Sequence, residues 1–429
     1  MGLFDIIAVL IVLTALFSYF NHQYLQLPPA IGVMLISLVL SLVIILLGKL
    51  GLSLGLQNIA REFLNKIQFG QALLQWMLGF LLFAGAMTVD LNELSRQRGV
   101  TGALAVLATI ASMFIIGGIV WLIMRGVGLE LNWLSCLLFG ALISPTDPIA
   151  VLSLVTRAGA PNSVQTIIAA ESLFNDGIGV VLFITLSQLI KNKALVTLGG
   201  ISWLFLQQTV GGAALGLMCG YFVYLLIKRA HDFQVNVLMT LALTMGSYAL
   251  ADTLRVSGPI AVVVAGLLIG NHGRVLNLTS DISRDLTQFW SLIDEILNAV
   301  LFVMIGLEVL AMPFSLKLLV AVMATIPAVL LARWLTVIAT VRPVRLQVEQ
   351  SRGLEAILVW GGLRGGLAIA MSLSLPGGAM RDRIVPITYG VVAFSILVQG
   401  TTIRWVVEKA MKTGIGAPND SAQRIHGQA

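Results

Sequence analysis

Three observations predict an all-α polytopic membrane protein of about thirteen transmembrane helices, two of them discontinuous. Of the 429 residues, 58% are hydrophobic and only 11% are charged, against about 25% charged in an ordinary soluble domain. The apolar residues gather in runs of about 20, the helical length that crosses a hydrocarbon core of about 30 Å. Two of these runs are interrupted by proline or glycine clusters that also hold a charged residue. A water-soluble globule of this size has no interior large enough for so much apolar surface. The formal charge of +6 suits loops beside anionic headgroups, and no Lys/Arg run or aromatic platform points to nucleic acid.

In chain order the spans fall at 3–20, 28–47, 71–89, 99–124, 133–155, 163–190, 201–227, 235–252, 257–270, 292–310, 315–341, 352–375 and 384–410. The first lacks a basic leader and a small-residue cleavage site, so it reads as a span and not as a cleaved signal. Segment 56–70, with Arg61, Glu62 and Lys66, and the stretch Leu276 to Trp290 read as amphipathic helices lying in the interface. An odd number of spans puts the termini on opposite sides. Lys and Arg are more numerous in the loops on the C-terminal side, which marks that side as cytoplasmic and the N-terminus as outside. A prokaryotic plasma membrane is the expected location, and the tail 411–429 is short. Cys136 and Cys219 lie in apolar segments and read as small core residues. No histidine pair stands at helical spacing, which argues against an intramembrane zinc enzyme; no cofactor is expected.

Span five holds Ser144-Pro145-Thr146-Asp147-Pro148. Two prolines remove backbone donors and open the helix, and Asp147-Pro148 fits an N-cap followed by the first helical residue. Span twelve holds Gly361-Gly362-Leu363-Arg364-Gly365-Gly366, a glycine-rich break around a cation. The two breaks are an odd number of spans apart, so they run in opposite directions. Paired interrupted helices of this kind are the sequence mark of an inverted-repeat transporter and its binding site.

Span six carries Glu171-Ser172-Leu173-Phe174-Asn175-Asp176. Charged residues at mid-span cost about 2.5–3.5 kcal/mol each on the insertion scale, so they face protein or water and mark ion pathways or buried pairs. Ser172 and Asp176 share one helical face, and Glu171 and Asn175 share a neighbouring one. Asp176 lies about 140° around from Glu171, so the two carboxylates have different surroundings. Arg364 keeps its proton and needs an anion; Glu171 is the expected partner, with Asn175 adding a hydrogen bond. Asp176 is then left to take a proton or a metal cation, with Thr146, Asp147 and Ser172 supplying further oxygens for a hard monovalent ion. The plainer alternatives are Asp147 as a helix cap only and Ser172 bonding back within its own helix. Arg333 in span eleven and Asp294, Glu295 and Glu308 around span ten are expected in interfacial or buried pairs.

These motifs together, Thr146-Asp147-Pro148, Asn175-Asp176 and Arg364 in its glycine cluster, resemble the bacterial NhaP-type sodium/proton antiporters. These belong to cation:proton antiporter family 1 and are related to the animal sodium/proton exchangers. The resemblance runs over essentially the whole chain. It implies an inverted-repeat fold and a homodimer. It also implies a core domain, 99–190 and 315–410, that moves like an elevator against a dimerisation scaffold, 1–98 and 201–310. Asp176 would bind the ion and exchange the proton, assisted by Asp147, Thr146 and Ser172, while Asn175, Glu171 and Arg364 organise the site. Electrogenic relatives carry an Asp where this chain has Asn175, so exchange of one sodium or lithium for one proton is expected. The alternatives are a potassium/proton antiporter, a cation channel and, least favoured, an intramembrane aspartyl protease using Asp147 and Asp176. The expected partners are monovalent cations, protons, the lipid bilayer and a second copy of the chain.

Overall fold

The computed structural model describes residues 3–50, 72–96, 98–160, 162–191, 198–230, 232–275, 280–311, 315–344 and 351–410. The expected interfacial segment 56–70 and the tail 411–429 lie outside the described residues. The helices that matter here are α1 (Leu3–Phe20), α2 (Pro29–Lys49), α3 (Ala72–Thr88), α4 (Thr109–Val127), α5 (Trp133–Ile143), α6 (Ile149–Arg157) and α7 (Asn162–Lys191). They continue with α8 (Leu198–Ile227), α9 (Phe233–Leu254), α10 (Gly258–Val275), α11 (Ser280–Glu308) and α12 (Leu316–Val344). The chain ends in α13 (Ser351–Trp360), α14 (Gly366–Leu373), α15 (Ala379–Phe394) and α16 (Gly400–Ala410).

Among the described residues, nine helical stretches are long and apolar enough to cross a bilayer. They coincide with expected spans one, two, four, six, seven, eight, ten, eleven and thirteen. Spans three and nine fall on the shorter apolar stretches Met77–Thr88 and Gly258–Asn271. Spans five and twelve are each divided, into α5 with α6 and α13 with α14.

Local chemistry sets several helix ends. Asn132 and Asp232 cap α5 and α9 by accepting from the Ser135 and Val235 amides at 2.7 and 2.9 Å, satisfying donors that a helix start leaves free. Pro29 opens α2, where its missing N–H costs nothing. Gly128 closes α4 at φ 72°, a left-handed conformation that suits glycine. Of the stretch Leu276 to Trp290, residues 276–279 lie outside the described residues, and 280–290 form the start of a longer helix instead of a separate interfacial one. From Ser280 the chain runs without a break into α11. Trp290, fully buried, meets Phe83 at a tilt and Phe289 edge-on and donates to Thr240 Oγ1 at 3.1 Å.

Helices α4, α5, α7 and α12–α16 pack largely on one another, while α3, α8, α9, α10 and α11 form another set, joined by α1 and α2 through α11. Helix α8 meets α10 along Gly212, Gly216 and Gly220. A Cβ at 220 would lie 3.2 Å from the Ala265 Cα, and one at 212 would lie 2.7 Å from the Ser257 carbonyl oxygen. Small residues at this spacing let backbones touch where no hydrophobic effect drives helices together.

Candidate functional site

The two breaks meet. Asp147 and Leu363 form an isolated antiparallel bridge, with the Asp147 amide donating to the Leu363 carbonyl at 2.7 Å. Four half-helix ends therefore converge on one point, two with exposed carbonyls (α5, α13) and two with exposed amides (α6, α14). Each carbonyl end has an arginine. Arg364 donates through Nη1 to the carbonyls of Ser144 and Pro145, the latter at 3.0 Å, beyond the end of α5. Arg333 donates through Nε to the Leu358 carbonyl at 3.0 Å, in the last turn of α13. A cation at a helix C-terminus is favoured by the dipole, up to about 2 kcal/mol where partly buried. Helix α6 starts at Ile149 with Pro148 before it, one residue later than the Asp147 cap expected. The Asp147 amide is spent on the bridge, and its carboxylate lies against Gly365 ahead of α14. A Cβ at 365 would come 2.5 Å from Asp147 Oδ2.

The arginine pairing differs from the expected one. Glu171 is held by Arg333, not by Arg364, in a two-pronged pair with Nη1 to Oε1 at 2.8 Å and Nη2 to Oε2 at 3.1 Å. Both side chains are buried. The physical reason is that Arg364 finds its negative charge in the carbonyls at the end of α5, leaving Glu171 to the second intramembrane arginine. Asn175, one turn on, donates to Glu171 Oε1 and to Thr146 Oγ1, each at 2.8 Å, and accepts from the Thr146 amide at 3.2 Å. This side chain ties span six to the first break. Ser172 donates to the Thr146 carbonyl rather than within its own helix.

The second break is tied down in the same way. Ser395 Oγ accepts from the Arg364 amide at 2.9 Å and donates to Gln399 Oε1 at 2.8 Å, while Gln399 Nε2 donates to the Trp360 carbonyl at 3.0 Å. Ser395 and Gln399 stand four apart in a π-turn of span thirteen, mirroring Glu171 and Asn175 in span six.

Ser172 and Asp176 leave this network on the other face of α7. With Thr146 and Asp147 they line a cavity of about 550 Å³, whose remaining walls come from α3, α6, α11 and the start of α14. Asp294 and Asn298 of α11 line the same cavity, one helical turn apart. The cavity wall also includes Thr88, Thr156, Arg157 and Ser291, which are exposed, so it opens on that side. Among the described residues no ion pair engages Asp176.

The family described as the transmembrane sodium/hydrogen exchanger matches residues 9–409. The chain belongs to this family. The Na⁺/H⁺ antiporter NhaP of Pseudomonas aeruginosa is 43% identical over 426 residues, covering 98% of this chain and 100% of the relative. The Na⁺/H⁺ antiporter NhaH of Halobacillus dabanensis is 33% identical over 378 residues, covering 84% and 89%. The solved structure of the sodium proton antiporter MjNhaP1 from Methanocaldococcus jannaschii superposes with a TM-score of 0.72 at 19% identity, over 96% of this chain and 100% of that one. That likeness speaks to the fold.

Thr146, Asp147, Glu171, Ser172, Asn175, Asp176 and Arg364 are thus gathered around one crossing. Of the residues expected in pairs around span ten, Arg333 pairs with Glu171, the charge of Glu308 is partly offset by that of Arg381, Asp294 lines the cavity and Glu295 is exposed. Sequence reasoning missed the Arg333 assignment, the Ser395–Gln399 mirror and the place of Asp294. The four-residue spacing of Ser395 and Gln399 beside a break is the signal that was available.

Proposed function

We propose that the chain exchanges sodium or lithium for protons, one for one, with both competing for Asp176. The observation that carries this reading is Asp176 itself. It is a carboxylate facing an open cavity beside two crossed helix breaks, while the neighbouring charges of Glu171, Arg333 and Arg364 are mutually satisfied or held by helix ends. Ser172, Thr146 and Asp147 supply oxygens around it, as hard cations prefer. Asn175 is committed to hydrogen bonds and brings no second proton, so the exchange is electroneutral. The names of the relatives favour sodium over potassium.

Coupling follows from charge. With sodium or a proton bound, the site is neutral and can cross the barrier; the bare carboxylate cannot, because burying an unpaired charge is too costly. The packing of α4–α7 with α12–α16 supports a core, 99–190 and 315–410, that carries Asp176 past a scaffold, 1–98 and 201–310, in an elevator movement within a homodimer. With the N-terminus outside, the open side of the cavity is cytoplasmic, and the structure is the inward-facing state of a plasma-membrane transporter.

The test is proton flux in proteoliposomes under an imposed pH gradient, with sodium, lithium or potassium added in turn. Sodium or lithium collapses the gradient in the wild type, and Asp176→Asn abolishes this while remaining folded. Retained sodium-dependent proton flux in that variant sinks the assignment. A response to potassium alone transfers the reading to a potassium/proton antiporter, and ion flux uncoupled from protons transfers it to a channel.

A further inference from the structure

We infer that Asp294 is a further cation-binding residue, a carboxylate on the fixed wall of the cavity that holds the hydrated cation before Asp176 takes it. This rests on the exchange reading above and adds a residue to it. Ser291, Asp294 and Asn298 stand at i, i+3 and i+7 on one face of α11, and all three line the cavity that Asp176 lines. Other positions of this helix pack against its neighbours. Trp290 is fully buried in an aromatic cluster, and the carbonyls of Phe302 and Gly306 accept from Ser37 and Ser41 of α2. The polar stripe Ser291, Asp294 and Asn298 borders the cavity.

Asn298, only 8% exposed, stands one turn on from Asp294 on the same face of α11. The charge of Asp294 interacts with that of Asp147, and the charge of Asp147 with that of Asp176. The three carboxylates thus form a series from the α11 wall, through the first break, to span six. Their mutual repulsion is relieved by a cation among them. The cavity is wide enough for several waters, so the cation meets Asp294 with part of its hydration shell and loses more of it at Asp176.

Asp294 stands on α11, in the set of helices assigned to the scaffold, whereas Asp176 stands on the part that moves. The two carboxylates therefore face one cavity only while the site opens on this side. A one-sided effect follows, which a residue needed merely for folding would not produce.

The experiment compares the sodium KM of exchange at each face, in everted and in right-side-out membrane vesicles. Asp294→Asn raises KM at the face where the cavity opens by roughly 3- to 30-fold, the range for losing one charge at several ångströms between water-like and protein-like dielectric. KM at the opposite face stays unchanged. Asp294→Glu, which keeps the charge, recovers most of the loss, and Asp294→Ser repeats the test should the amide disturb folding. An unchanged KM, an equal rise at both faces, or complete loss of exchange in a folded Asp294 variant overturns the inference. Failure of the wild type to couple sodium to protons at all would instead overturn the exchange reading.

Discussion

At the scale of single residues the arginines are the instructive case. An arginine in an apolar span needs negative charge nearby, and sequence reasoning chose Glu171 for it from the two carboxylates of span six. A helix C-terminus also offers negative charge, through carbonyls with no intrahelical partner. Arg364 takes that option at the end of α5, and Arg333 takes both the end of α13 and Glu171. The two arginines therefore differ in what their removal leaves behind. Arg333→Ala strands a buried carboxylate and lowers stability by roughly 3–5 kcal/mol. Replacing both partners, Glu171→Leu with Arg333→Met, recovers much of that loss, because no unpaired charge remains. Arg364→Ala removes charged hydrogen bonds to carbonyls and costs less, about 1.5–3 kcal/mol. Thermal unfolding of the wild type and these three purified variants checks all of this. A smaller loss for Arg333→Ala than for Arg364→Ala would contradict the pairing.

At the scale of elements, the site is made by helices that stop. Each break is fastened by side chains from the following span: Asn175 and Ser172 grip Thr146, while Ser395 grips the Arg364 amide and Gln399 the Trp360 carbonyl. Ser395→Ala leaves that buried amide without its acceptor, at about 1–3 kcal/mol. It should lower the melting temperature and slow exchange together, while Ser395→Thr, which keeps the hydroxyl, spares both. Gly365 has a different duty. Its missing Cβ is the space in which the Asp147 carboxylate sits, so Gly365→Ala pushes Asp147 off the start of α14. The expected result is a folded protein with a raised sodium KM; wild-type sodium kinetics in Gly365→Ala would show that Asp147 does not need this seat.

At the scale of the whole molecule, the proposed exchange at a single carboxylate, Asp176, has two consequences. A one-for-one exchange moves no net charge, so clamping the membrane potential at two values should leave both rate and endpoint of sodium-driven proton flux the same. A dependence on potential would mean that a second group also titrates in the cycle. Competition also fixes the sign of the pH effect. Protons occupy Asp176 at low pH, so the apparent sodium KM rises as pH falls, approaching tenfold per pH unit once the protonated form dominates, and levels off at high pH. A sodium KM independent of pH would rule out a shared site.

Much of this was legible in the chain because the bilayer is a strict solvent. It demands long apolar helices and makes every intramembrane charge, proline or glycine cluster conspicuous. Hence the all-α class and the positions of the spans could be read from composition and spacing, whereas the gathering of Thr146, Asp147, Ser172, Asn175 and Asp176 is expected from charge balance and from the resemblance to the antiporter family. Short-range geometry also carried over: the four-residue step from Glu171 to Asn175 is a helical property and appears as a 2.8 Å hydrogen bond. Which arginine meets Glu171, and which wall of the cavity holds Asp294, depend on contacts between residues more than a hundred positions apart in sequence. Periodicity says which face of a helix a residue occupies but not what packs against it. Only the crossing of the two broken helices, sealed by the bridge from Asp147 to Leu363, decided which charges are spent on holding the fold and which remain free to meet an ion.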